Sequence, residues 1–185
     1  CKRWHDTQMN VLTKLDHFGD KKLTIKRTSS RDAFWFRLSK FADHSAIWIV
    51  IGIIKYLFDW NLRNFLIFIS VMLIESGLTN GPIKFIFRKK RPYENENSFL
   101  KGEKLPYGMR MPITSSFPSG HATSAMCATI VLCSNLNLLY ICLIPLALLV
   151  GYSRIYTRMH HLSDILFGFL LGIIYGLIVI ILFLN

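Results

Sequence analysis

Five long apolar blocks constrain the fold of this chain more than any other feature. They run from Phe41 to Phe58, Phe65 to Phe87, His121 to Ser134, Leu138 to Tyr156, and His161 to Leu184. A helix needs roughly 20 residues to cross the hydrocarbon core of a bilayer, and shorter helices cross when neighbouring protein covers their polar ends. The blocks are long and mostly continuous rather than alternating, which argues against strands. We therefore predict an all-α fold, a polytopic membrane helix bundle with about five transmembrane helices.

The blocks differ in how clearly they indicate a membrane span. The last one carries no charged residue from Ile165 to Leu184, whereas the block from His121 to Ser134 is short and contains Thr, Ser and Cys. A buried helix that does not span the membrane is the alternative for that third block. With 52% hydrophobic residues in a chain of 185, we predict one membrane-embedded domain over residues 1–185.

The N-terminal region, residues 1–40, is polar and basic but carries apolar residues at helical spacing. These apolar residues are Met9, Leu12, Leu15 and Phe18, then Phe34, Trp35, Leu38 and Phe41 at its end. Such a pattern predicts two amphipathic helices that lie at the headgroup layer with their basic side outward. The alternative, which can hold at the same time, is that these helices pack against the edge of the bundle.

Positive charge is distributed unevenly along the chain, which has 22 Lys and Arg residues and a formal net charge of +11. Only Lys55 and Arg63 fall in or beside the turn between the first two blocks, so five spans would put nearly all other cations on one face. The positive-inside rule makes that face cytoplasmic. We expect an integral protein of a bacterial plasma membrane whose basic face meets anionic lipids and not nucleic acid. A different number of spans would reverse this orientation.

Three short polar clusters lie at the ends of apolar blocks. They are Lys84-x6-Arg91-Pro92, Pro118-Ser119-Gly120-His121, and Ser153-Arg154-x5-His160-x3-Asp164. Arg and Lys side chains suit a phosphate dianion, and a helix start offers it free backbone N–H groups. The basic run Arg88 to Lys90 inside the first cluster is, on its own, more typical of an anchor to anionic lipid headgroups.

The third cluster carries the most specific chemistry. His160 and Asp164 are four residues apart at the start of a helix, so they share a face. Asp164 can then accept a hydrogen bond from one ring nitrogen and leave the other free as a nucleophile. His161 is the alternative nucleophile, because it also lies within one turn of Asp164. A salt bridge with a histidine at the membrane interface would be the non-catalytic explanation.

The order and spacing of the three clusters resemble the three-part signature of the type 2 phosphatidic acid phosphatase superfamily, which includes integral-membrane lipid phosphatases. The resemblance implies phosphate-binding roles for Lys84, Arg91, Ser119, Gly120 and Arg154. It also implies that His160 attacks phosphorus, Asp164 holds its ring and His121 protonates the leaving oxygen. Water would then hydrolyse the phosphohistidine. No metal or other cofactor is implied, and we assign no cluster in the chain to a metal.

The resemblance predicts a membrane enzyme that hydrolyses a phosphomonoester or pyrophosphate of a lipid, with residues 88–118 as its active-site loop. Candidate substrates are a polyprenyl-phosphate derivative, phosphatidylglycerophosphate and phosphatidic acid. The stretch from Phe41 to Trp48 is similar to one in members that act on decaprenylphosphoryl phosphoribose. An outward-facing site would instead favour undecaprenyl pyrophosphate. A non-catalytic phospholipid-binding membrane protein is the alternative from another class, and the oligomeric state stays open.

Overall fold

The computed structural model of the chain describes residues 2–23, 28–59, 61–92, 112, 114–134 and 139–184. Within these residues the chain is helical and contains no strand, which confirms the predicted all-α class. The helices are α1 (Lys2–Lys22), α2 (Ser29–Phe41), α3 (Ala46–Asp59), α4 (Leu62–Leu78), α5 (Lys84–Phe87), α6 (Gly120–Leu132), α7 (Leu139–Tyr156) and α8 (Leu162–Val179). A π-helical turn, Thr79–Ile83, joins α4 to α5, and a second one, Ile180–Leu184, extends α8.

Helix length and composition support fewer membrane spans than the predicted five. Among the described residues, Leu62–Phe87 with 26 residues and Leu162–Leu184 with 23 are long and apolar enough to cross a membrane. A third span results if Ser29–Phe41 and Ala46–Phe58, which meet at 62°, count as one broken span. Gly120–Leu132 and Ile141–Tyr156 are apolar but shorter. The count of five therefore stays a prediction, although every predicted apolar block contains a helix.

The bend between α2 and α3 divides what the sequence presents as one apolar block from Phe41 to Phe58. Phe41 ends α2, and a short 3-10 turn, Asp43–Ser45, precedes α3. Ser45 has a φ of 60°, in the left-handed region that few non-glycine residues adopt. The turn places Asp43 at the end of the bundle where the polar clusters meet.

Close packing of α6 against α8 positions the start of each helix. A Cβ atom added at Gly168 would lie 2.7 Å from the Ser119 carbonyl oxygen, and one at Gly176 would lie 2.6 Å from the Cβ atom of Ile130. Gly168, Gly172 and Gly176, which repeat every four residues on α8, therefore allow the close helix contact expected of small residues in membrane bundles. At the site end, the Ser119 N–H donates to the Asp164 carbonyl at 3.0 Å, so the first turns of α6 and α8 are joined.

The two N-terminal helices pack along the bundle at this same end. Gly19 of α1 lies against Leu162, since an added Cβ would be 2.6 Å from the Leu162 Cβ. On α2, the ring centroid of Trp35 lies 4.7 Å from that of Tyr152 on α7. Both N-terminal helices therefore pack on the bundle edge, whereas their amphipathic contact with lipid headgroups stays a prediction.

The opposite end of the bundle contains the turn after α3 and the ends of α6 and α8. Lys55, Asn61, Ser134 and Leu184 line one pocket there. Arg63 donates a hydrogen bond to the Phe183 carbonyl oxygen at 3.1 Å. The turn after α3, the end of α6 and the end of α8 therefore share one end of the bundle.

Candidate active site

The three polar clusters meet in one open cavity of about 400 Å³. Six of the eight predicted site residues line this cavity, namely Lys84, Arg91, Gly120, His121, Arg154 and His160. The other two, Ser119 and Asp164, are buried beside it. Segments separated by up to 76 residues in the chain thus bring three cations and two histidines to one space.

His160 lies in the turn between α7 and α8 and is almost completely buried. Its Nδ1 atom is 2.7 Å from the Ser116 carbonyl oxygen. Because a carbonyl can only accept, Nδ1 carries the ring proton and the lone pair resides on Nε2. Nε2 is 3.3 Å from Nη1 of Arg91. The tautomer required of a nucleophilic histidine is therefore set by a backbone carbonyl.

The protonation state of His160 suits the same role. Burial lowers the pKa of this ring well below 6.5, and the Arg91 charge lowers it further against the opposing effect of Asp164. The ring is consequently neutral at physiological pH, so Nε2 keeps its lone pair, which accepts from Arg91 Nη1 in this structure.

Asp164 orients His160 less directly than the sequence suggests. Its Oδ2 atom is 3.7 Å from His160 Nδ1, which is ion-pair distance rather than hydrogen-bond distance. The carboxylate instead accepts hydrogen bonds from the Ser116 hydroxyl and from the His161 N–H, the latter at 2.9 Å. Asp164 thus holds Ser116, the residue whose carbonyl holds His160. Spacing of four residues predicted proximity correctly, but it carried no information about Ser116.

Lys89 is a site residue that the sequence analysis missed. Its Nζ atom donates to Asp164 Oδ1 at 2.8 Å, to Asp16 Oδ2 at 2.7 Å and to the Ser163 hydroxyl at 2.7 Å. Each of the three N–H donors of this ammonium group therefore has an acceptor within the protein. Lys89 binds Asp164 rather than a lipid headgroup. The only sequence signal was its place in the basic run after α5.

Arg91 connects the loop before α6 to the turn before α8. Its guanidinium donates to the carbonyl oxygens of Thr114 at 3.1 Å, Ser115 at 3.2 Å and Met159 at 2.9 Å. With 1% of its surface exposed, Arg91 contributes positive charge to the cavity while its donors serve backbone carbonyls, the Thr114 hydroxyl and the His160 Nε2 atom. Binding of phosphate by Arg91 therefore stays a prediction.

The other two cations reach the cavity from α5 and α7. Lys84 Nζ donates to Asn80 Oδ1 at 2.8 Å. Arg154 donates through Nη1 to the Ser39 hydroxyl, and this atom is 3.7 Å from Asp43 Oδ1. Its Nε atom is buried and has no hydrogen-bond partner among the described residues. Arg154 therefore brings an unused donor to the cavity wall.

The N-terminus of α6 forms part of the cavity lining. Ser119 is the N-cap, and its Oγ atom accepts from the Ala122 N–H at 3.4 Å. A Cβ added at Gly120 would lie 2.7 Å from Asn80 Oδ1, so a side chain here would displace the partner of Lys84. Phosphate binding by the Ser119 hydroxyl stays a prediction, because that hydroxyl caps the helix.

The other two candidate histidines, His121 and His161, differ in whether they line the cavity. His121 lines the cavity, and its Nε2 atom is 2.8 Å from Asp43 Oδ1. His161, the alternative nucleophile, has its Nδ1 atom 3.8 Å from Asp20 Oδ2 on α1 and is not among the cavity residues. His160 is thus the better placed of the two neighbouring histidines. Most of the predicted active-site loop, residues 93–111 and 113, lies outside the described residues.

Fold and site together define a class of protein: a helical membrane-type bundle that gathers cations and histidines around a pocket at one end. A sequence profile described as "PAP2 superfamily" matches residues 64–185, which include all three polar clusters. This chain belongs to the PAP2 superfamily, as the spacing of its clusters predicted.

Similar proteins agree with this assignment. Phosphatidylglycerophosphatase B of Bacillus subtilis (strain 168) is 37% identical in a 70-residue alignment that covers 32% of this chain and about a third (34%) of that protein's length. The crystal structure of Aquifex aeolicus LpxE superposes with a TM-score of 0.68 at 25% identity, covering 87% of this chain and 92% of that one. A Bacillus subtilis transmembrane PAP2-type phosphatidylglycerolphosphate phosphatase shares the fold with a TM-score of 0.64 at 24% identity, covering 92% and 85%.

Proposed function

We propose that this protein is a membrane lipid phosphatase that needs no metal and works through a phosphohistidine intermediate. The observation that carries the proposal is the convergence of Lys84, Arg91, Arg154, His121 and His160 on one cavity. Binding a phosphate would require only the cations. A neutral, oriented histidine beside them supports catalysis instead of binding alone.

In the first step, the lone pair on His160 Nε2 attacks phosphorus and forms a P–N bond. The bond between phosphorus and the lipid oxygen breaks, and His121 gives that oxygen a proton. The Nδ1–H group of His160 keeps donating its hydrogen bond to the Ser116 carbonyl, and this bond stabilises the positive charge that the ring acquires.

In the second step, water attacks the phosphohistidine. His121, now neutral, takes one proton from the water while the P–N bond breaks and returns its electron pair to Nε2. Inorganic phosphate leaves and both histidines regain their starting states. The positive charges of Lys84 and Arg154 favour the extra negative charge that develops on the phosphoryl oxygens in both steps.

The substrate we propose is a lipid whose tail stays in the bilayer while its phosphate enters the cavity. The names of two relatives favour phosphatidylglycerophosphate, and phosphatidic acid or a polyprenyl-phosphate derivative would present the same phosphate. We place the site on the cytoplasmic face because the basic helices α1 and α2 pack at the site end of the bundle. With an outward-facing site, undecaprenyl pyrophosphate would be the leading substrate.

The test is phosphate release by protein purified in detergent, with EDTA present, across these lipid phosphates and pyrophosphates. Wild type, His160→Ala and the matched neighbour variant His161→Ala would be compared. We expect His160→Ala to lose at least roughly 1,000-fold in kcat, since it removes the nucleophile. His161→Ala should keep measurable turnover, because its ring lies on the α1 side.

Two outcomes would contradict the proposal. Equal activity of His160→Ala and wild type would remove the nucleophile assignment. Binding of lipid phosphates by wild type without any turnover would favour a non-catalytic phospholipid-binding protein.

A further inference from the structure

The contact between His121 and Asp43 is the feature of the cavity that the three sequence clusters do not account for. Both residues line the cavity, and the carboxylate Oδ1 atom is 2.8 Å from the ring Nε2 atom. Asp43 comes from the turn between α2 and α3, 78 residues away in the chain. A carboxylate in a pocket built for an anion repels the ligand, so its presence there needs a reason.

The charges around His121 supply that reason. Burial disfavours a positively charged ring at His121, and so do the charges of Arg154 on α7 and Lys84 on α5, which line the same cavity. A general acid must carry its proton before the reaction, which these two cations oppose. Asp43 is the negative group facing His121 among the described cavity residues, and Arg154 Nη1 is 3.7 Å from the same Oδ1 atom. It can therefore offset both cations at once.

We propose that Asp43 is the positioning residue of the general acid: it holds His121 through Nε2 and keeps the ring protonated for transfer to the leaving group. The proposal rests on the phosphatase function proposed above. It gives each histidine of the site its own orienting group, the Ser116 carbonyl for His160 and the Asp43 carboxylate for His121.

The proposal defines where each proton of the His121 ring lies during the reaction. Before the reaction the His121 ring carries protons on both nitrogens, with the Nε2 proton donated to Asp43. As the bond from phosphorus to the lipid oxygen breaks, the Nδ1 proton moves to that oxygen and leaves a neutral alcohol. In the hydrolysis step Nδ1 takes a proton from water, and the second ring proton stays on Nε2 and is donated to the Asp43 carboxylate throughout.

Two substrates with different leaving groups distinguish a role of Asp43 in proton transfer from a purely structural role, which would affect both substrates alike. An alkoxide leaving from a lipid phosphate needs a proton, whereas 4-nitrophenolate leaves without one. We expect Asp43→Asn to lower kcat on the best lipid substrate by roughly 10- to 100-fold. On 4-nitrophenyl phosphate the same variant should lose less than about 3-fold. Asp43→Glu should restore part of the activity on the lipid, because it returns the carboxylate.

The matched control is Asp32→Asn on the neighbouring helix α2. Asp32 accepts a hydrogen bond from the Tyr156 hydroxyl at 2.6 Å and does not line the cavity. This variant also loses one carboxylate, so it should leave the ratio of the two substrates unchanged.

The pH profile gives a second readout on the lipid substrate alone. The basic limb of kcat/KM reports loss of the proton from the general acid. Removing the Asp43 charge should shift this limb to lower pH in Asp43→Asn, because the protonated ring loses its counter-charge.

The outcomes separate this inference from the proposed function. If wild type turns over no substrate, or His160→Ala equals wild type, the phosphatase proposal itself fails. If the phosphatase is active but Asp43→Asn loses both substrates equally, loses neither, or keeps the basic limb of wild type, the role of Asp43 is overturned.

Discussion

At the scale of single residues, a buried carboxylate beside the cavity holds other residues of the candidate site in position. Asp164 is fully buried and receives hydrogen bonds from Lys89, Ser116 and the His161 backbone. Removing one partner from a buried ion pair costs more than the pair contributes, because the remaining charge is left without compensation. Lys89 is therefore the residue whose loss should disturb this arrangement most.

We predict that Lys89→Met lowers the free energy of unfolding by about 2 kcal/mol, which is less than the roughly 3–5 kcal/mol of a fully buried pair because the Lys89 side chain is 28% exposed. Thermal unfolding in detergent would measure the effect as a lower Tm. Lys90→Met is the matched control, since Lys90 is exposed and should change Tm little. Equal Tm values for the two variants would contradict the role given to Lys89.

A second residue-scale prediction concerns the charge of His160. Its lowered pKa means that the ring stays neutral while pH falls through 6.5, where an exposed histidine would gain a proton. Nitrogen-15 NMR of histidine-labelled protein should show no protonation of this ring between pH 8 and 6. The His160→Gln variant would identify its signal. A midpoint at or above 6.5 would show that the ring is not held neutral.

The sequence predicted the site residues that lie within short motifs. It did not reveal those that only the fold brings next to their partners. His121, Arg154 and His160 were predicted because each belongs to a cluster with chemical meaning of its own. Asp43 and Lys89 act through partners 78 and 75 residues away, which no local spacing reveals. The basic run around Lys89 pointed to lipid headgroups because that is its commoner use.

At the scale of helices, the α6–α8 contact carries the site. The glycine repeat on α8 lets its backbone approach α6, and the first turns of both helices contribute site residues. A Cβ added at Gly172 would collide with the Thr123 carbonyl oxygen, which belongs to the α6 backbone and cannot move alone.

We predict that Gly172→Ala destabilises the protein by about 1–3 kcal/mol, the usual effect of overpacking. Gly77→Ala on α4 is the control, because an added Cβ there meets nothing within 4 Å and alanine is the better helix former. Chemical unfolding in mixed micelles would compare the two variants. A Gly172→Ala protein as stable as Gly77→Ala would mean that the helices do not pack this closely.

Helix positions were predictable to within a few residues, because apolar blocks and polar interruptions mark them. The break between α2 and α3 was not, since the block from Phe41 to Phe58 reads as continuous. Asp43 and Ser45 interrupt it in the structure through a 3-10 turn and a positive φ. That missed turn is also the one that brings Asp43 to His121.

At the scale of the whole molecule, the bundle has two unlike ends. The cavity, α1 and α2 share one end, and Lys55 and Arg63 belong to the other. From the positive-inside rule we predict that the cavity faces the cytoplasm.

Reporters at the two ends of the chain test this orientation. We predict fluorescence of a green fluorescent protein joined to the N-terminal end and activity of an alkaline phosphatase joined to the C-terminal end, as expected when the two ends lie on opposite sides. Cytoplasmic location of both reporters would indicate an even number of spans. An active alkaline phosphatase at the N-terminal end would place the cavity outside.

The most direct test of the central claim is to trap the phosphoenzyme. Wild-type protein would be mixed with a phosphorus-32-labelled lipid substrate, quenched in alkali where a P–N bond survives, and digested for peptide mapping. We predict label on the peptide containing His160, released by acid and absent from His160→Ala but present in His161→Ala. Label on another residue, or continued turnover with no phosphoenzyme at any quench time, would contradict the account.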